Sequence, residues 1–300
     1  MNAKLISHIA LWLAALIYGA NYTIAKSVMP QYVQPFAFII LRVIGALVLY
    51  WLVSLFFKQE KIEKKDFPRL IACGIFGVAV NQLLFFKGLS LTSPINAAIM
   101  MLCTPILVLI ISFFAIKEKL TWVKIVGVFI GLSGALLLIF QNTAITSVSQ
   151  SNPLGDFFIL INALSWGIYL VIVKSLMQKY STLTVIKWSF LFGSLIVIPV
   201  GFNEFQLIDW ANMPSQAYAS IAFVVIGVTF LAYFLNTYAL KQLSPTVVSI
   251  YIYLQPILAS LIAIISKKDE LSFYKVCAAL LIFVGVYLVS FNPIKYFKKI

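Results

Sequence analysis

The chain has 300 residues, of which 62% are hydrophobic and only 10% charged, and its mean hydropathy is +1.03. A soluble globular protein carries roughly 25% charged residues, so no soluble core hides this much apolar surface, and an integral membrane protein is expected. The net charge of +13 would suggest nucleic acid in a soluble chain; here it reads as lysines holding loops at a membrane surface, and no nucleic-acid partner is expected.

At ~20 residues per spanning helix, about ten helices fit this length. A β-barrel, the other spanning solution, shows short alternating segments, whereas this chain has long continuous apolar runs. In chain order they are 8–26, 36–57, 69–90, 94–116, 122–140, 154–177, 183–201, 216–240, 245–266 and 273–291. The first continues through Ala25 and reads as a true span, not a cleaved signal. Cys73, Cys103 and Cys277 lie inside apolar runs, are odd in number and share no metal-type spacing, so they read as small buried hydrophobes. Loops are short except 58–68, 141–153 and 202–215. The middle one is uncharged and rich in Ser, Thr, Asn and Gln, and reads as a linker.

Residues 93–138 return without a gap as 244–289. Ser93-Pro94 falls on Ser244-Pro245, Pro105 on Pro256, Lys117 on Lys268, Lys124 on Lys275 and Gly134 on Gly285, a shift of 151 residues. The first span returns at a shift of 148, with Tyr18 on Trp166 and Asn21 on Tyr169. A repeat of this period is a statement about architecture. The expected domains are a first five-helix repeat at 1–140, a linker at 141–153 and a second five-helix repeat at 154–300. Five spans is an odd number, so the second copy must cross the membrane in the opposite sense. The expected fold is an all-α integral membrane protein of ten transmembrane helices, two inverted five-helix repeats about a pseudo-two-fold axis in the membrane plane. Lysine and arginine counts near the helix ends put both termini on the cytoplasmic side. The exception, Lys267, Lys268 and Lys275, is the repeat partner of the segment from Lys117 to Lys124 and falls on the opposite side.

Arg42 lies some six residues into the second run, about 9 Å from its outer end at 1.5 Å per residue. A charge at the centre of a span costs about 2.5–3.5 kcal/mol, so Arg42 either snorkels outward or faces an aqueous cavity and meets an anionic group of a solute. Phe190 stands at the matching place in the second half. No Asp or Glu falls mid-span, which argues against a carboxylate proton relay. His8, the only histidine, stands at the start of the first run and reads as interfacial.

Uncharged polar and aromatic residues cluster within the spans: Tyr18 with Asn21, Asn81 with Gln82, Asn162 with Trp166 and Tyr169, Tyr233 with Asn236, and Tyr251 with Tyr253 and Gln255. Each alone reads as an interhelical hydrogen bond. Because Tyr18/Trp166 and Asn21/Tyr169 are repeat-equivalent, an in-plane axis gathers both pairs around one centre, the geometry of a midplane binding site. The expected substrate-binding set is Tyr18, Asn21, Arg42, Asn81, Gln82, Trp166, Tyr169, Asn236, Tyr251 and Gln255. Pro105 and Pro256 sit mid-span, each removing a backbone hydrogen bond, and read as static kinks or as hinges. Gly127, Gly131 and Gly134 make a close-packing face, serving contacts within the monomer first and a homodimer second. Zincin, nucleophile-elbow and P-loop motifs are absent. No catalytic residue, metal or cofactor is expected, and the chain does not read as an enzyme.

These residues resemble the drug/metabolite transporter superfamily, specifically its EamA family. The resemblance is carried by the polar-aromatic first span IYGANYTIAKSVMP and by Leu41-Arg42. More specific is the string through Gly88, Leu91, Ser93-Pro94, Pro105, Glu118-Lys119-Leu120 and the glycines of the fifth run. It recurs in the second half with Asp269 in place of Glu118. The resemblance implies a basket in which spans one to four and six to nine surround a central cavity while spans five and ten stand outside. It also implies a multi-pass protein of the bacterial inner membrane, its partners a small-molecule solute and the lipid bilayer. The implied function is secondary active transport of small polar metabolites, most of all export of amino acids, by alternating access between the repeats. A permease for drugs, sugars or nucleotide-like metabolites, or a membrane sensor or scaffold that moves nothing, are the alternatives.

Overall fold

The computed structural model describes residues 2–26, 28–29, 31–92, 94–142, 152–265 and 272–290. Ser93, most of the expected linker, the loop holding Lys267, Lys268 and Asp269, and the C-terminal lysines lie outside the described residues. Among those described, ten helical spans are long and apolar enough to cross a membrane. They run Ala3–Asn21, Pro35–Ser54, Lys64–Leu91, Ala97–Ile116, Trp122–Phe140, Pro153–Leu176, Thr182–Gln206, Ser215–Ala239, Pro245–Ile262 and Phe273–Ser290.

Two boundaries differ from the hydropathy reading. The first helix begins at Ala3 rather than at residue 8, which puts His8 more than a turn inside it. The third span begins at Lys64 with a 3-10 turn that leads into Phe67-Pro68. Proline is tolerated in a first helical turn because its missing N–H would have no partner there, so Pro68 opens the helix instead of ending the loop.

The third and eighth spans are not uniform α-helices. Each contains a π-helical stretch, Ile75–Val80 in one and Val224–Ala232 in the other. At the repeat shift of 151, residues 75–80 fall inside the second stretch. A π turn widens the helix and frees carbonyls from the regular ladder, and here side chains from other spans take them. Ser165 donates to the Phe76 carbonyl at 2.7 Å and the Tyr233 hydroxyl to Gly77 at 3.2 Å. The Tyr50 hydroxyl reaches the carbonyls of Thr229 and Phe230 at 3.1 and 2.6 Å.

The fourth and ninth spans are broken just ahead of their prolines. In the fourth, the helix stops at Met101 and restarts at Thr104. In the ninth, a 3-10 turn over Tyr251–Tyr253 separates Pro245–Ile250 from Leu254–Ile265. Pro105 has no N–H to offer the Met101 carbonyl, and the Thr104 hydroxyl supplies the missing donor at 2.7 Å.

The pseudo-two-fold axis is visible in contacts that recur with the halves exchanged. A Cβ built on Gly285 would lie 2.7 Å from the Gly127 carbonyl oxygen, and one built on Gly134 would lie 2.7 Å from that of Ala278. At the shift of 151 these are the same contact seen twice. The Tyr253 hydroxyl donates to the carbonyl of Leu102 at 3.1 Å. Leu102 and Tyr253 are repeat partners at the shift of 151, so the axis passes between them. Spans five and ten pack along each other through this seam and leave Trp122, Phe129, Phe273 and Leu280 exposed on their outer faces. The glycine face of span five is therefore consumed inside the monomer.

Candidate functional site

The alternation of spans puts the N-terminus and the loops around residues 60, 118, 180 and 242 at one end of the bundle, called here the near end. A cavity of about 540 Å³ runs along the bundle centre. Its wall reaches the far end at Met29, Pro35 and the exposed Ser90. It stops on the near side at the buried Leu11, Val248 and Tyr251.

Of the residues expected from the sequence, Tyr18, Asn21, Arg42, Asn81, Gln82, Trp166, Asn236, Tyr251 and Gln255 all line this cavity. Tyr169 does not. Its ring is wholly buried behind Trp166, stacked on it at 5.0 Å, and its hydroxyl bonds the Thr237 hydroxyl at 2.8 Å. The physical reason is Gly77 in the third span, where a Cβ would come within 2.3 Å of the Tyr169 ring. The π-helical turn and the missing side chain open a slot that the ring fills. Tyr169 thus supports the wall instead of forming it.

The seventh span also departs from the expected basket, because none of its residues lines the cavity. Phe190, the counterpart of Arg42, is fully buried and packs at 5.1 Å on Tyr50 and at 5.0 Å on Tyr233. Spans five and ten contribute nothing to the wall either.

Arg42 is held from two sides. Its Nε donates to the Thr229 hydroxyl at 3.0 Å, and its guanidinium lies 5.4 Å from the centre of the Phe86 ring. Among the described residues no carboxylate pairs with it. A cation over an aromatic face gains electrostatically without being neutralised, so the charge is available to the cavity. The amides around it have spare acceptors. Asn21 Oδ1, Gln82 Oε1 and Asn162 Oδ1 are buried with no hydrogen-bond partner, although the Asn162 amide nitrogen donates to the Asn81 carbonyl. Asn236 uses its amide N–H on the Ala232 carbonyl at 2.9 Å.

The repeat extends further into the wall than the aligned motifs suggest. Gln82 and Tyr233 are partners at the shift of 151, as are Phe85 with Asn236, Ala97 with Val248 and Met101 with Ile252, and every one of them lines the cavity. Thr229, Tyr233 and the Phe85-Phe86 pair were absent from the expected set. Applying the shift to Gln82 and Asn236 would have found Tyr233 and Phe85. Nothing in the sequence marks Thr229, which matters because a π-helical turn carries it to Arg42.

The near end is closed by ties that mostly run between the halves. Asp66 is buried and accepts from Lys179 Nζ at 2.8 Å and from the Tyr180 hydroxyl at 2.9 Å. Lys187 Nζ donates to Gln59 Oε1 at 2.6 Å and lies 4.8 Å from the Trp51 ring. Glu118 pairs with Lys124 at 2.7 Å and accepts from the Thr246 hydroxyl at 3.0 Å. Lys174 donates its Nζ hydrogens to the carbonyls of Leu240 and Leu243. Glu60 accepts from the Ser181 backbone N–H at 2.9 Å. Burial pushes the Glu60 carboxyl up, but that N–H and the hydroxyls of Thr184 and Ser181 outweigh it and hold the group below its ordinary value.

Comparison with known proteins agrees with this architecture. A solved crystal structure superposes with a TM-score of 0.76 at 19% identity over 96% of both chains, which shows the shared fold. An uncharacterized transporter of Bacillus subtilis, YyaM, is 26% identical over 92% of this chain and 90% of its own length. An uncharacterized transporter of Archaeoglobus fulgidus is likewise 26% identical, over 94% of this chain and 97% of its own. A WAT1-related protein of Arabidopsis thaliana is 20% identical over 95% and 85%. The profile of the EamA-like transporter family matches twice, at residues 5–140 and again at 153–291. Each match takes in one set of five spans, and the chain belongs to the EamA-like transporter family.

Proposed function

We propose that this transporter exports small zwitterionic metabolites, amino acids foremost, by alternating access of the central cavity. The proposal includes repeats bounded at 1–140 and 154–300, hinging at Pro105 and Pro256, and both termini on the cytoplasmic face of the inner membrane. The observation that carries it is Arg42, a cation steadied by a hydroxyl and an aromatic ring in a cavity wall, with no acid described beside it. A carboxylate is the natural partner for a guanidinium in that state. The amides of Asn21, Gln82 and Asn162 line the same wall and suit an ammonium once their buried, unpartnered oxygens turn toward it, and the rings of Tyr18, Trp166 and Tyr233 suit an apolar side chain. The near end tied shut and the far end reached by the cavity match one of the two arrangements that inverted repeats exchange.

Purified protein in liposomes, loaded in turn with each of the twenty labelled L-amino acids, provides the test. Wild type is expected to release at least one of them above empty vesicles and to show saturable counterflow. Arg42→Ala is expected to lose that flux. Flux absent for all twenty overturns the substrate, and undiminished flux in Arg42→Ala overturns the role of the arginine. The volume of about 540 Å³ favours a second reading, a larger metabolite such as a sugar or nucleotide-like compound, because cavities of ~300–1,000 Å³ take drug-sized ligands. Extending the same panel to those compounds separates the two.

A further inference from the structure

His8, the single histidine of the chain, is not idle at the interface. Its Nδ1 lies 2.7 Å from the hydroxyl of Tyr251, and Tyr251 lines the cavity. The two residues are 243 positions apart, in different halves of the repeat. His8 is half-buried, one turn below the cavity residue Leu11, and the exposed Lys4 lies one turn further toward the near end. Tyr251 opens the 3-10 turn that breaks the ninth span ahead of Pro256. One side chain thus links the near-end surface, the cavity floor and the proline break.

We propose that His8 and Tyr251 form the proton-binding site of the transporter, a switch that sets whether the cavity floor accepts or donates a hydrogen bond. The proposal rests on reading this cavity as the solute site. When His8 is neutral with its proton on Nε2, Nδ1 accepts from the Tyr251 hydroxyl, and the phenol offers the cavity only lone pairs. A proton arriving from the near side makes both ring nitrogens donors. Nδ1–H then donates to the phenol oxygen, the phenol keeps its own hydrogen, and that O–H turns toward the cavity as a donor. A solute carboxylate is favoured by the second state and an ammonium by the first. By linkage, a solute that prefers one state shifts proton affinity by the same factor.

Among the described residues of the elements packed against the pair, no other group supplies this function. The first span packs against the eighth and ninth spans, and Trp12 stacks on Phe283 of the tenth. None of these spans carries an Asp or Glu among the described residues. In the eighth they hold Tyr218, near the far end, and Tyr233 and Tyr238; in the ninth Tyr253, whose hydroxyl is spent on Leu102. The tenth adds Tyr274, Lys275, Cys277 and Tyr287, and its Ser290, a hydroxyl that does not titrate, lies beside Tyr251. Tyrosine and lysine titrate near 10, and histidine alone among unperturbed side chains changes charge between about pH 5 and 8.

Because there is one histidine, selective nitrogen-15 labelling of untagged protein in nanodiscs gives a single imidazole to titrate. Wild type is expected to show one Nε2–H tautomer when neutral, and Tyr251→Phe to mix the tautomers and move the midpoint by at least ~0.5 pH unit. An identical titration in both proteins overturns the switch. In liposomes, release of the labelled amino-acid panel is expected to change at least ~5-fold between near-side pH 6 and 8 in wild type and less than ~2-fold in His8→Gln and Tyr251→Phe. A wild-type flux indifferent to pH, or one equally sensitive in His8→Gln, also overturns it. Vesicles that move no amino acid overturn the substrate reading instead, while the imidazole titration still decides the switch.

Discussion

Where the first half turns Arg42 toward the cavity, the second half has Phe190, buried against Tyr50 and Tyr233. The surrounding scaffolds are alike: both halves have a π-helical third member, a fourth member broken ahead of a proline, and a fifth that packs in the shared seam. The repeat governs shape, while departures from it govern chemistry. The aromatic side of the wall is fixed by packing, and the polar side is left with a charge and spare acceptors.

The largest expected effect falls on the packed member of the pair. Phe190→Ala removes a fully buried ring and is expected to destabilise the protein by about 3–5 kcal/mol, read from thermal unfolding in detergent; a loss below ~1 kcal/mol would mean the ring is not the fill it is taken for. Arg42→Phe makes the halves match and should leave unfolding nearly unchanged. It should lower kcat/KM for carboxylate solutes by about 10–100-fold, the worth of a hydrogen bond to a charge. Equal transport would erase the functional asymmetry.

The shared scaffold is tested at the seam. Gly285→Ala drives a methyl to within 2.6 Å of the Gly131 nitrogen and 2.7 Å of the Gly127 oxygen, backbone atoms that cannot swing aside. A loss of about 1–3 kcal/mol is expected. Gly227→Ala, whose nearest neighbour lies at 3.4 Å, is the control and should stay near wild type. The smallest effect concerns Glu60, whose tie to Ser181 joins the halves at the near end. A carboxyl held below its ordinary value stabilises the folded state above the unfolded value, ~4.3, and loses that contribution as pH falls through the lower folded one. Wild type should therefore lose stability relative to Glu60→Gln between pH 6 and 3.5; parallel curves would show the tie contributes nothing.

The ten spans and their doubling were legible because hydropathy and repeat are properties of the chain itself. So was most of the polar part of the cavity wall, since an amide in a span needs a partner or water. Tyr169 was misplaced because the slot that swallows it depends on Gly77 and on a π-helical turn, and a uniformly apolar run carries no periodicity that separates π from α. The same turn hid Thr229. The Lys179–Asp66 tie was hidden for another reason: one loop lysine resembles the next until the fold chooses between them. The contact of His8 with Tyr251 is invisible to hydropathy because helix one starts earlier than its apolar run does and the partner is 243 residues away.

The seam between spans five and ten also bears on synthesis. Span five leaves the ribosome in the middle of translation, with Gly127, Gly131 and Gly134 exposing bare backbone to lipid. The surface that covers Gly127 and Gly134, from Ala278 through Gly285 to Val289, and the Tyr253 ring that covers Gly131 are made one repeat length later. The first half therefore holds an unfinished face until the second half follows, and the tenth span is the clasp that closes it. Two half-chains made separately should still find each other through that clasp.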